Sequence, residues 1–177
     1  MSHFAVAAIG SDRPGIVAAL SEALFDMECN IEDSRMTILR GHFSVMLVVS
    51  APESTEPGTL AGRLERVREG LGLEALTVSG VNELRSAAPA PTHVITVYGA
   101  DHPGIVSAIS AALADRGVNI TDLQTKLTSS GERPIYVMML EIELGTADAE
   151  ALEADLGRVA GDAEVEVSIG ELETEAL

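Results

Sequence analysis

The 177-residue chain has a single cysteine, Cys29, so it can form no disulfide within itself, which fits a reducing compartment. Positive charge is scarce: 11 Lys and Arg stand against 28 Asp and Glu, for a formal net charge of −17. Phosphate contacts need clustered basic side chains, so direct binding to nucleic acid is not expected. No apolar run is long enough to span a bilayer, and the first residues carry neither the basic stretch nor the long apolar core of a signal peptide. A soluble cytoplasmic protein without a membrane partner is the expectation. The glycines fit neither the nucleotide P-loop nor the dinucleotide fingerprint. His3, His42, His93 and His102 fall at no metal-ligand spacing with Cys29 or with carboxylates. Cys29 has no base or positive field nearby in the sequence to activate its thiol. Glu150, Glu153, Asp155 and Asp162 read as a solvated helix face. No catalytic set, metal or cofactor is expected, and the chain is read as non-enzymatic.

What the chain does contain is a 22-residue block that occurs twice, offset by 89 positions. Asp12-Arg13-Pro14-Gly15-Ile16-Val17 returns as Asp101-His102-Pro103-Gly104-Ile105-Val106, and Asn30-Ile31-Glu32-Asp33 returns as Asn119-Ile120-Thr121-Asp122. Between these stretches Ala19/Ala108, Ser21/Ser110, Leu24/Leu113 and Asp26/Asp115 also match. The repeat is too long for a solenoid unit and suits a small domain. Two domains of about 80 residues are near the lower size limit, so further packing and oligomerisation are expected to help them. The charge is uneven: residues 1–89 carry 7 basic and 12 acidic groups, residues 90–177 carry 4 and 16. A solubilising surface accounts for this.

Each copy shows the same order of hydrophobic periodicities. Phe4 to Ile9 is a short apolar strand. Asp12 is a possible cap for a helix with Pro14 in its first turn, carrying Ile16, Val17, Leu20, Leu24 and Met27 on one face and ending at Asn30. A strand follows with Ser34, Met36 and Ile38 on one side, then a turn at Arg40-Gly41-His42 and a dense apolar strand from Phe43 to Val49. Pro52 to Gly58 reads as a loop, Leu60, Leu64, Val67 and Leu71 as a second helix, and Leu73 to Val81 as a last strand. In the second copy the strand from Val94 to Tyr98, the helix stripe Ile105, Val106, Ile109 and Leu113, the strand bearing Leu123, Thr125 and Leu127, the strand from Ile135 to Leu144 with Met138-Met139 in the core, and the helix of Leu152, Leu156 and Val159 repeat this order. Val165, Val167 and Ile169 alternate with polar residues, as in a sheet with one solvated face. The pattern is β-α-β-β-α-β twice, an α+β fold of two ferredoxin-like units, each an antiparallel sheet with both helices on one face. The expected divisions are a first domain over 1–84, a Pro/Ala linker over 85–92, a second domain over 93–172 and an acidic tail over 173–177.

The repeated loops Gly10-Ser11-Asp12-Arg13-Pro14-Gly15 and Gly99-Ala100-Asp101-His102-Pro103-Gly104 each join a strand to a helix. A helix start offers unpaired N–H groups and positive dipole character, which suit a carboxylate or phosphate. Gly15 and Gly104 allow close approach to the backbone. Asp12 and Asp101 could cap the helix or accept a hydrogen bond from an ammonium. Asn30 and Asn119, at the far end of each helix, offer both a donor and an acceptor. His102 adds a ligand contact or a pH-dependent one.

Asp-x-Pro-Gly-Ile opening a helix, followed by Gly-Val-Asn-Ile (117–120) or Glu-Cys-Asn-Ile (28–31) at its end, resembles the ACT domain family of ligand-sensing modules in amino-acid metabolism. The resemblance covers nearly the whole chain, and a stand-alone tandem pair resembles the glycine cleavage system transcriptional repressor group. It implies two units packed side by side with joined sheets, a small amino acid as ligand, and a protein partner through which the signal acts; a homodimer is expected separately, because strand edges and helix faces remain to be covered. Carried over by position, Asp12, Gly15 and Ile16 would face Asn119 and Ile120, while Asp101, Gly104 and Ile105 would face Asn30 and Ile31. The chain departs from the family where some serine-sensing relatives carry a histidine, since Gly10 and Gly99 stand there, and where Glu28 replaces the usual glycine. The other reading is a structural or interaction subunit that binds no ligand.

Overall fold

A computed structural model describes residues 1–84, 89–128 and 134–172. Residues 85–88 of the expected linker and the expected tail, 173–177, lie outside the described residues. The chain divides into two compact units, Met1–Ser86 and Ala87–Leu177. The first runs β1 (Ser2–Ser11), α1 (Ile16–Phe25), β2 (Asn30–Leu39), β3 (His42–Ala51), α2 (Pro57–Leu71) and β4 (Ala75–Val81). The second runs β5 (His93–Ala100), α3 (Ile105–Asp115), β6 (Asn119–Thr128), β7 (Ile135–Glu143), α4 (Ala149–Asp162) and β8 (Val165–Glu171). Sheet orders are β2-β3-β1-β4 and β6-β7-β5-β8, with the described neighbours antiparallel. Both units are therefore βαββαβ, the layout the repeated pattern predicts.

The first core lies between one sheet face and both helices. Phe4, Val6 and Ala8 of β1 and Phe43, Val45, Leu47 and Val49 of β3 alternate inward. They meet Ile16, Leu20 and Leu24 of α1 and Leu60 and Leu64 of α2. The second core repeats this with Ile95, Val97, Met138, Leu140 and Ile142 against Ile105, Ile109, Leu113, Leu152 and Leu156. Val17 and Met139, expected inside, are exposed. Val17 sits one position past Ile16 and turns off the buried stripe, and Met139 points to the open face opposite Met138.

Both first helices begin later than expected. Pro14 and Gly15 form a turn, and Gly15 (φ 98°) is the N-cap, with no side-chain cap. Asp12 instead donates its backbone N–H to Gly41 O at 2.8 Å, tying the loop to the β2–β3 hairpin. Gly104 (φ 104°) does the same service for α3. The far ends also differ from expectation: Asn30 and Asn119 do not end helices but open strands β2 and β6. The helices stop in a motif in which Cys29 N–H donates to Leu24 O and Glu28 N–H to Phe25 O, matched by Val118 to Leu113 and Gly117 to Ala114. That motif needs a left-handed residue, supplied by Gly117 (φ 68°) and, against the steric preference, by Glu28 (φ 55°). Helix α2 takes Pro57 at its first position, so the expected loop ends at Glu56.

Each pair of helices is tied by an ion pair of opposite polarity. Arg63 on α2 meets Asp26 after α1. Asp155 on α4 meets Arg116 after α3, at 2.7 Å from its Nε. Arg63 and Asp155 occupy the same place between core leucines, Leu60 and Leu64 in one unit and Leu152 and Leu156 in the other.

Candidate functional site

The β5–α3 loop forms one wall of an open cavity of about 580 Å³. Asp101, His102, Gly104 and Ile105, all expected there, line it together with Ser107, Ser110 and Tyr136 among others. The first turn of α3 contributes N–H groups that have no partner within the helix, and Gly104 leaves open space where a side chain would stand. Ile105 is otherwise a core residue, 1% exposed. Asn119 and Ile120 do not line this cavity. They open β6, with Asn119 opposite Glu143 and Ile120 opposite Ile142.

In the first unit the expected residues lie at the two ends of α1. Asn30 and Ile31 line a depression of about 520 Å³ with Ala18, Ser21, Phe25 and Cys29. Asp12 and Gly15 lie at the other end of α1, and Ile16 is buried in the core. The second aspartate of the repeated block has a structural explanation. Both edge strands shift register between Ile31 and Asp33 and between Ile120 and Asp122. Asp33 Oδ1 accepts from the Ser34 N–H at 2.8 Å, and Asp122 Oδ2 from Gln124 Nε2 at 2.9 Å, so each helps shape the strand beyond the bulge.

Tyr136 is the residue that sequence reasoning missed. It stands opposite Gly99 on β5 and Leu127 on β6, where the first unit has Phe43 opposite Gly10 and Ile38. The exchange of a fully buried phenyl ring for a half-buried phenol puts a polar group at the cavity. Burial pushes the phenol's pKa up, a hydrogen bond with Thr125 opposes this, and the charge of Asp101 adds to the rise. The signal available in the sequence was a tyrosine interrupting an apolar strand, but its tie to the loop emerges only from the strand order.

His102 sits between the loop and the second helix. Its Nδ1 lies 3.1 Å from Pro103 O and its Nε2 2.6 Å from Ala163 O, at the C-terminal end of α4. Both partners are carbonyl acceptors, which favour the doubly protonated ring. The bond to Pro103 and then that to Ala163 raise the pKa, with smaller contributions from Glu164 and Asp101. Cys29 is half-buried, its thiol pKa is raised by burial, and Sγ lies 3.6 Å from Met27 O. Among the described residues no three His, Cys, Asp or Glu side chains gather in a way that could hold a metal.

The two βαββαβ units, each opening its first helix from a repeated Asp-x-Pro-Gly loop, define a tandem of small α+β domains, and the chain belongs to the ACT domain family, which it matches over residues 2–77 and again over 93–161. It is related to the glycine cleavage system transcriptional repressor of Escherichia coli, with 27% identity over 85% of this chain and 80% of that one. The phosphoserine phosphatase of Mycobacterium tuberculosis is 25% identical over 90% of this chain but only 38% of the phosphatase. A crystal structure of a protein of unknown function from Galdieria sulphuraria superimposes with a TM-score of 0.76 at 27% identity, over 97% of this chain and 98% of that one.

Proposed function

We propose that the protein is a non-enzymatic regulator that binds a small amino acid and passes the signal to a partner protein. The observation that carries this reading is the second unit's cavity, where a helix start and an acidic side chain converge on one small open space. An amino acid needs both groups. Its carboxylate would lie against the first-turn N–H groups of α3, stabilised by the helix dipole. Its ammonium would pair with Asp101. Ser107, Ser110 and Tyr136 would read the side chain. The His102 imidazole at this cavity is engaged by the carbonyls of Pro103 and Ala163 rather than by a serine hydroxyl, so it is not placed as a base beside a nucleophile. The repressor relative supports a regulatory output, and the match to a minor part of the phosphatase fits a module that regulates rather than reacts. Gly15, Ile16, Asp12, Asn30, Ile31, Asn119 and Ile120 enter as contacts on the strength of the family resemblance.

A thermal-shift screen of the purified protein against the twenty amino acids tests the reading. A selective, concentration-dependent rise in melting temperature is expected, because a ligand that prefers the folded state stabilises it by mass action. Asp101→Asn should lower that affinity at least about tenfold, the scale of a lost charge-assisted hydrogen bond. A flat screen at millimolar ligand would sink the sensing reading and leave an interaction subunit.

A further inference from the structure

We propose that protonated His102 latches the ligand loop of the second unit to the C-terminal end of α4, and that the latch loosens as pH rises, while Arg13 makes the matching tie in the first unit permanent. The geometry carries this. A neutral imidazole has one N–H, so it can donate to Pro103 O or to Ala163 O and must turn a lone pair toward the other. The imidazolium donates to both. The end of α4 also favours a cation, since the helix dipole leaves partial negative charge there. In the first unit the same loop position is Arg13, whose guanidinium reaches Gly70 O in the last turn of α2 at 3.5 Å. Both loops therefore place a cation on the carbonyls ending the second helix. One cation is fixed across biological pH and the other titrates.

The charges of Glu164 and Asp101 favour the protonated form of His102, and partial desolvation opposes it. Asp101 precedes it in the loop and Glu164 follows α4. The groove beside the ring is lined by Asp115 of α3 and by Asp155, Arg158 and Asp162 of α4. Asp155 is engaged by Arg116 and Arg158. The pKa of His102 is raised on folding, so the latch is fully present below the unfolded imidazole value of about 6.5 and is lost as pH rises through the higher folded value. His102 and Gly104 line the same cavity, so releasing the ring changes the wall on which a ligand would rest. This last consequence rests on the amino-acid-binding reading.

The test is an NMR titration of the full chain from about pH 6 to about pH 9, without ligand, following the His102 ring and the backbone amides of Gly104 and Ala163. In the wild type the two amides should shift with the midpoint of the ring, and that midpoint should lie above the value in urea-unfolded chain. In His102→Arg those amide shifts should vanish, because the cation no longer titrates. Amides that ignore the ring, or that titrate unchanged in His102→Arg, would overturn the latch. Glycine, serine and alanine, added at both ends of the range, separate the two readings. If none binds, and none of the twenty amino acids raises the melting temperature, while the amides still follow the ring, the latch stands and the sensing reading fails. If one binds several-fold differently in the wild type and evenly in His102→Arg, both stand. Equal wild-type binding at both ends would overturn the latch as a control of the site.

Discussion

Gly99 has no room for a side chain. A Cβ there would meet Val165 Cγ1 at 2.8 Å and Val165 Cα at 3.1 Å, and at Gly10 it would meet Leu73 Cδ2 at 2.9 Å and Leu73 Cα at 3.1 Å. A side chain and a backbone atom of Leu73, just before β4, or of Val165, which opens β8, press on these positions, so the histidine that some serine-sensing relatives carry there would not fit. Gly99→Ala should lower stability by about 1–3 kcal/mol, the usual cost of overpacking, measured by urea denaturation. Glu28 presents the converse case. It occupies the left-handed conformation that Gly117 takes in the other unit, and Glu164 (φ 50°) does so where Gly72 (φ 63°) stands in the first. Each unit thus keeps one glycine and one strained glutamate at its helix ends. A non-glycine residue there costs about 1–2 kcal/mol, partly offset by the chain entropy a glycine loses on folding. Glu28→Gly should accordingly stabilise by about 0.5–1 kcal/mol, seen as a higher melting temperature. The loop glycines were legible because they recur at a fixed offset, whereas the left-handed glutamates carry no sequence signal beyond the glycine opposite them in the repeat.

At the scale of the elements, helix and strand identities followed from periodicity because each core is one apolar face per element. The boundaries were harder. Asp12 and Pro14 have the residue types of a helix start, yet Gly15 ends up as the cap because Asp12 is bound to the hairpin at Gly41. Asn30 looked like a helix terminator, but the helix closes on Leu24 and Phe25 first, and Asn30 is free to open β2. Tyr136 was out of reach for a related reason: 32 residues separate it from Gly104, and only the β5–β7 register brings it to the loop. Asp155 gives an element-scale prediction. Its carboxyl is held below the usual range by Arg116 first and Arg158 second. A lowered folded pKa contributes stability that is present above the unfolded value of about 3.9 and is lost as pH falls through the folded value. Asp155→Asn should therefore be less stable than the wild type at neutral pH, and the gap should narrow below about pH 4, as read by denaturation at both pH values.

At the scale of the molecule, β2 is an edge strand exposed along its whole length, with Met36, Ile38 and Leu39 among its exposed apolar residues. Leu123 and Leu127 are exposed on β6, the edge of the second sheet. Exposed edges of this kind invite pairing with another chain, the reason a homodimer is expected. Met36→Lys with Ile38→Lys should shift the protein toward monomer in sedimentation experiments, while leaving each core intact.

The opposite polarity of the two interhelical ion pairs also bears on how a chain with two near-copies of one pattern avoids crossing them during folding. If α1 nucleated against α4, Asp26 would meet Asp155; if α3 nucleated against α2, Arg116 would meet Arg63. Either hybrid would bring like charges together where the correct partners bring unlike ones, so a mispaired contact would meet repulsion in place of attraction. Reversing one pair, as in Asp26→Arg with Arg63→Asp, keeps attraction within the first unit but removes this discrimination. Such a chain should reach the same native stability yet refold with a larger slow or aggregating fraction than the wild type after dilution from urea.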